Sequence, residues 1–109
     1  MAHVAIEKAK LLNRLKRMRV QIDASHLLCM RAAWLKEHGR PFSREASMAK
    51  LKASEVARRT ALECMQMMGG AGYASEYEME HLVRQALPMT VYAGSSEIQR
   101  EIIGGTLGL

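Results

Sequence analysis

The sequence predicts an all-α fold, an antiparallel helical bundle of two long helices and two shorter ones. Three observations predict it. Apolar residues recur at steps of three and four over long stretches, which gathers them on one side of a helix. No stretch alternates apolar and polar residues as a half-buried strand does. The long patterns are cut by glycine and proline, at Gly39 and Pro41, at Gly69 to Gly72, and at Pro88.

The first helix is expected over about 4–38. Leu11, Leu15, Met18, Ile22, Ser25, Cys29 and Ala32 form one stripe, and Leu12, Val20, Leu27, Leu28, Trp34 and Leu35 form a second beside it. Two stripes imply more than one neighbour. Gly39 supplies a left-handed C-terminal cap and Pro41 prevents continuation. The second helix is expected over about 44–68, with Ser43 as N-cap and Glu45 in its first turn. Its seam is Ala46, Ala49, Ala53, Val56, Thr60, Cys64 and Met67, small enough for another helix to come close. A short link makes these two helices antiparallel neighbours. The third helix is expected over about 78–87, closed by Pro88. Glu76, Glu78 and Glu80 sit at its start, where carboxylates suit the helix dipole. The fourth is expected over about 96–103, and the terminal GGTLGL is expected to be loose or bound to something else.

Bulk composition narrows the function classes. The 109 residues are 49% apolar, enough for a core, and no run approaches the roughly 18 residues of a membrane span. The N-terminus lacks the apolar centre of a secretory signal, which makes the cytoplasm the expected compartment. Cys29 and Cys64 have no metal-ligand spacing and are expected to be buried thiols. No metal site and no nucleophile constellation is expected; His3, His26, His38 and His81 fall on different elements. The net charge is +5, and Lys8, Lys10, Arg14, Lys16, Arg17 and Arg19 supply much of it. No aromatic interleaves with that run, so stacking platforms for nucleic acid are missing; a solvated face is the expected role, with an anionic small ligand or a partner subunit as the alternative.

Two turns could carry chemistry. MQMMGGAGY ends a helix rather than opening one after a strand, which excludes the dinucleotide fingerprint. It reads either as a Schellman-type stop with a tight turn, or as bare backbone at Gly69 and Gly70 that a phosphate or sugar can approach. VYAGSSEIQR runs from a small polar turn into the last helix. Ser95 or Ser96 can cap that helix, and its free N–H groups favour an anion or a carbonyl oxygen.

Taken together, these motifs resemble the C-terminal domain of the acyl-CoA dehydrogenase family. Residues 66–73, QMMGGAGY, resemble its Q-x-x-G-G-x-G-Y/F stretch, and residues 92–100, YAGSSEIQR, its Y-E-G-T-x-E/Q-I-Q-R stretch. RAAWLKEHG (31–39), ASMAKLKASEVA (46–57) and the segment from Glu76 to Arg84 also fit. The resemblance implies a bundle from a larger FAD enzyme that removes hydrogens from the α and β carbons of an acyl-CoA. On this view 1–109 is a single partial domain, with the N-terminal helical domain, the β domain and the first bundle helix absent. Gln66, Gly69 and Gly70 match residues that contact a neighbouring subunit's FAD. Ser95 and Glu97 match the turn and helix start that hydrogen-bond FAD. Tyr92 and Gly94 match residues lining the acyl thioester. Ala93 stands where many members place the catalytic glutamate. His81, Met79 and Gln85 depart from the family pattern, and Gln85 removes an expected charge partner of Arg84. The resemblance further implies homo-oligomers or mixed oligomers through the bundle, and a chain that alone binds FAD weakly or not at all and is inactive. The alternative is a non-catalytic helical association module derived from that family.

Overall fold

The computed structural model describes residues 1–109 and is helical throughout, without strands. The helices are α1 (Ala2–Glu37), α2 (Ser43–Met68), the single turn α3 (Gly70–Tyr73), α4 (Met79–Ala86) and α5 (Ser96–Thr106). Short 3-10 turns at Ser75–Tyr77 and Leu87–Thr90 join the later elements.

Helix α1 ends as its sequence requires. Gly39 adopts φ +64°, its N–H bonds the Lys36 carbonyl, and the Arg40 N–H bonds the Leu35 carbonyl at 2.9 Å. These two bonds are a Schellman stop, and they satisfy carbonyls that the helix leaves free. The chain then reverses. Met18 packs near Cys64, their sulfurs 3.9 Å apart, and Gln21 accepts a hydrogen bond from Lys52, so α1 and α2 run antiparallel. On the other side of α2, Arg44 bonds Thr106 and Arg100 pairs with Glu55, so α5 also runs antiparallel to α2. Helix α4 packs on α2 as well.

The α1 seam is narrower than either expected stripe. Arg14, Met18, Gln21, Ser25, Leu28, Ala32 and Leu35 are buried or half-buried there, spaced alternately by four and three as in a coiled-coil seam, and Ala24 is half-buried beside them. Leu11, Leu15, Ile22 and Cys29 of the first stripe are exposed, as are Leu12, Val20, Leu27 and Trp34 of the second. One helix covers only the strip where the two stripes meet. The expectation of two buried thiols is therefore corrected: Cys29 is exposed and Cys64 half-buried. The α2 seam behaves differently, and each of its seven expected residues is at least half-buried. Ser25, Ser47 and Ser54 are buried in the packing, and Ser25 and Ser54 return their hydroxyls to carbonyls of their own helix.

Only 13 of 109 residues are buried and no side chain is wholly enclosed, so the helices form an open layer centred on α2. The longest dimension, 56 Å, matches α1 at about 1.5 Å per residue. Residues 1–13 are all exposed.

Three local expectations change. Ser43 is inside α2 and makes no cap bond; Phe42 precedes the helix, its carbonyl accepting from the Ala46 N–H at 2.8 Å. Gly69 is not a Schellman stop. At φ 63°, ψ −137° it turns the chain sharply into α3, a conformation open to glycine and hardly to any other residue. The C-terminus is not loose. Helix α5 continues to Thr106, and Arg44 donates to both the hydroxyl and the carbonyl of that residue at 3.0 Å.

Candidate functional site

The turn from Val91 to Ser95 carries the residues of interest, and its backbone is strained. Ala93 at φ 53° and Gly94 at φ 91° are both left-handed. A methyl-bearing residue costs about 1–2 kcal/mol there. Two side chains hold the turn. Lys50 of α2 donates to the Met89 carbonyl at 2.8 Å and to the Gly94 carbonyl at 2.7 Å, and its ammonium stands 5.8 Å from the Tyr92 ring centre. Gln99 of α5, buried, donates its amide to the carbonyls of Ala93 at 3.4 Å and Gly94 at 3.2 Å. A Cβ on Gly94 would collide with that amide, so this glycine answers to its own helix as well as to any ligand.

Helix α5 then starts on Ser95, whose hydroxyl accepts from the Ile98 N–H at 3.3 Å. Of the two candidate caps, Ser95 is therefore the one used. Glu97 lies in the first turn, fully exposed. Its own backbone N–H, then the Ser95 hydroxyl, hold its carboxyl below the usual carboxylate range, with a smaller pull from Arg100. Ser96 is the anomaly. It is buried and its hydroxyl has no partner within the protein, a condition that costs free energy unless something supplies one.

Ser95, Ser96, Glu97 and Arg100 of α5 face Arg58 and Arg59 of α2 across an open cleft of about 810 Å³. Ser95 and Glu97 thus share one cleft. Tyr92 and Gly94 lie on the adjoining turn and do not line it. Gln66 lies in the last turn of α2, roughly 4.5 Å of axial rise beyond Glu63, which does line it, and Gly69 and Gly70 follow just past the helix end. Both glycines are exposed, and a Cβ on either would meet nothing within 4 Å. Gly72 differs: it is buried, and a Cβ there would collide with the Met65 carbonyl, so it serves packing. Arg84, which loses one charge partner at Gln85, pairs with Glu80 at 2.9 Å.

Lys50 and Gln99 were not legible as site residues. They act on a turn reached from α2 across some forty residues of chain, or backwards from α5, and no local spacing marks either. For Lys50 the one available signal was polarity on an otherwise packed helix face, whereas Gln99 stands in the matched I-Q-R stretch but was given no role there.

Comparison with known proteins places this architecture. Residues 3–108 match the family described as acyl-CoA dehydrogenase, C-terminal domain. The probable acyl-CoA dehydrogenase YngJ of Bacillus subtilis is 46% identical over 90 residues, 83% of this chain and 24% of that protein. The butyryl-CoA dehydrogenase structure from Megasphaera elsdenii superposes with a TM-score of 0.89 at 37% identity, covering 93% of this chain and 26% of that one. PigA, solved as an FAD complex, superposes with a TM-score of 0.88 at 30% identity, over 92% and 26% of the respective chains. The chain spans about a quarter of the length of these relatives. No helix is long and apolar enough to cross a membrane. The chain belongs to the acyl-CoA dehydrogenase family and corresponds to its C-terminal domain.

Proposed function

We propose that this chain is the bundle of an FAD-dependent acyl-CoA dehydrogenase that contributes flavin and oligomer contacts and is inactive by itself. The observation that carries the reading is a pair of backbone bends, one exposed at Gly69–Gly70 and one lining the open cleft at Ser95–Glu97, on a chain matching the family domain almost end to end. The residues present fit part of a dinucleotide. Open glycine backbone admits a phosphate or sugar, and the first-turn N–H groups that the Ser95 cap leaves free at the α5 N-terminus offer hydrogen bonds to one.

In this reading Ser95 and Glu97 hydrogen-bond FAD, and Gln66, Gly69 and Gly70 contact FAD of a neighbour. Tyr92 and Gly94 line the acyl-CoA thioester. Lys50 and Gln99 fix the turn that presents them. FAD, when bound, supplies the hydride acceptor. Ala93 cannot take a proton, so this turn orients substrate without acting as base. Protomers join as homo-oligomers or mixed oligomers, in the cytoplasm, a reducing compartment that suits the two free thiols.

The test is a chimera in which residues 46–109 replace the matching segment of the Megasphaera elsdenii butyryl-CoA dehydrogenase. It should retain yellow FAD through gel filtration and fail to turn over butyryl-CoA, and Ala93→Glu should recover turnover. A colourless chimera, or one active with Ala93, refutes the assignment. The isolated chain mixed with FAD should elute colourless.

A second reading, a non-catalytic association module, draws on α1. Leu27 is 68% exposed, and Met30 and Trp34, which share its side of the helix, are exposed beside it. Such a face favours self-association. A monomer in light scattering at all concentrations removes this reading.

A further inference from the structure

The α1–α2 seam is lined by small and apolar residues around Ser25, Ala32 and Leu35, and it changes character toward the N-terminal half of α1. There Arg14 occupies a seam position and is half-buried. With Arg17, Met18 and Gln21 of α1, and Arg59, Thr60 and Glu63 of α2, it lines a cleft of about 400 Å³. Three guanidiniums therefore meet one carboxylate. None of the three arginines forms an ion pair: the protein's four pairs are Lys10–Glu7, Arg19–Asp23, Arg84–Glu80 and Arg100–Glu55. None donates a hydrogen bond elsewhere in the fold either, so all of their N–H groups remain available.

The neutral groups point the same way. The Gln21 side-chain oxygen is taken by Lys52, which leaves its amide N–H groups as the part free to face the cleft. Thr60 adds a hydroxyl. Arg14 is half-buried and Arg17 and Arg59 are exposed; gathering three like charges on one cleft is unfavourable, and an anion relieves it. The guanidinium fork matches the oxygens of a phosphoryl group better than it matches a monatomic ion. A solvated face needs neither a seam arginine nor this convergence.

We propose that this cleft binds a phosphoryl group, held by Arg14, Arg17 and Arg59 and supplied either as free phosphate or as the phosphate of a nucleotide. Glu63 restricts how many anionic oxygens the cleft accepts and offers an acceptor to a hydroxyl of the carrier.

The experiment follows the arginine side-chain Nε–H resonances of the 109-residue chain by NMR at constant ionic strength. The probes are inorganic phosphate, ADP and adenosine. Phosphate and ADP should shift Arg14, Arg17 and Arg59, and adenosine should shift none of them. Tighter binding of ADP than of phosphate assigns the source to a nucleotide, and equal binding assigns it to free phosphate. Arg17→Gln and Arg59→Gln should each weaken binding about tenfold, the loss of one charged hydrogen bond. Arg84→Gln, which lies on α4 outside both clefts, should leave it unchanged. Circular dichroism verifies folding; Arg17 and Arg59 are both exposed, so either variant alone remains informative. Equal shifts with chloride, unchanged binding in both variants, or adenosine binding as well as ADP would each overturn the proposal.

Discussion

Gly94→Ala should destabilise the chain by roughly 2–3 kcal/mol, for reasons that can be separated. The residue sits at φ 91°, where a side chain costs about 1–2 kcal/mol. The new Cβ also displaces the Gln99 amide, which now donates to the Ala93 and Gly94 carbonyls. Gln99 is only 6% exposed, so an amide left without partners costs about 1–3 kcal/mol. Alanine returns somewhat under about 1 kcal/mol by restricting the unfolded chain. Urea unfolding followed by far-UV circular dichroism measures the sum, at one protein concentration because association shifts midpoints. The same substitution in a Gln99→Ala background should cost only the backbone share, about 1 kcal/mol, giving a coupling of at least about 1 kcal/mol. A change below about 0.5 kcal/mol, or equal costs in both backgrounds, would refute the view that glycine is required here by Gln99.

Lys50→Met should cost about 2 kcal/mol by removing charged hydrogen bonds to two carbonyls, and hydrogen exchange should quicken across residues 89–98 without a matching change in α1. Ser96→Ala should be neutral or stabilising by up to about 1 kcal/mol in the same urea assay, since it deletes a buried hydroxyl that has no partner. Glu97 has a lowered pKa, so its contribution is complete above the unfolded carboxylate pKa and is lost as pH falls through the lower folded value. Unfolding midpoints should thus be flat near neutrality and decline in acid, and Glu97→Gln should lessen that acid-side decline.

The order and type of the helices were legible because period and punctuation are local properties. Gly39 with Pro41 and the cluster at Gly69 mark real chain reversals, and the α2 seam was read residue by residue because small residues leave one face suited to contact. The α1 seam was not, because periodicity shows which residues share a face but not how much of that face a neighbour covers. Leu11, Leu15 and Ile22 are consequently outside, and Arg14 and Gln21 inside. The Ser43 cap failed by one residue, the usual uncertainty of a helix start. The tail was misread because two glycines argue for an end, and only the long-range bonds from Arg44 show otherwise. At the site, the two bends were visible as composition, whereas the pinning of one of them by Lys50 depends on tertiary placement.

Helices α1, α4 and α5 dock on α2, and α1 makes no extensive contact with α4 or α5. The molecule is a hub with spokes. Damage on one spoke reaches another only by disturbing the hub, so paired substitutions on α1 and α4 should sum without epistasis. Substitutions along α2 should instead resonate with every other position, which makes that helix the place where sequence drift in this protein is least free.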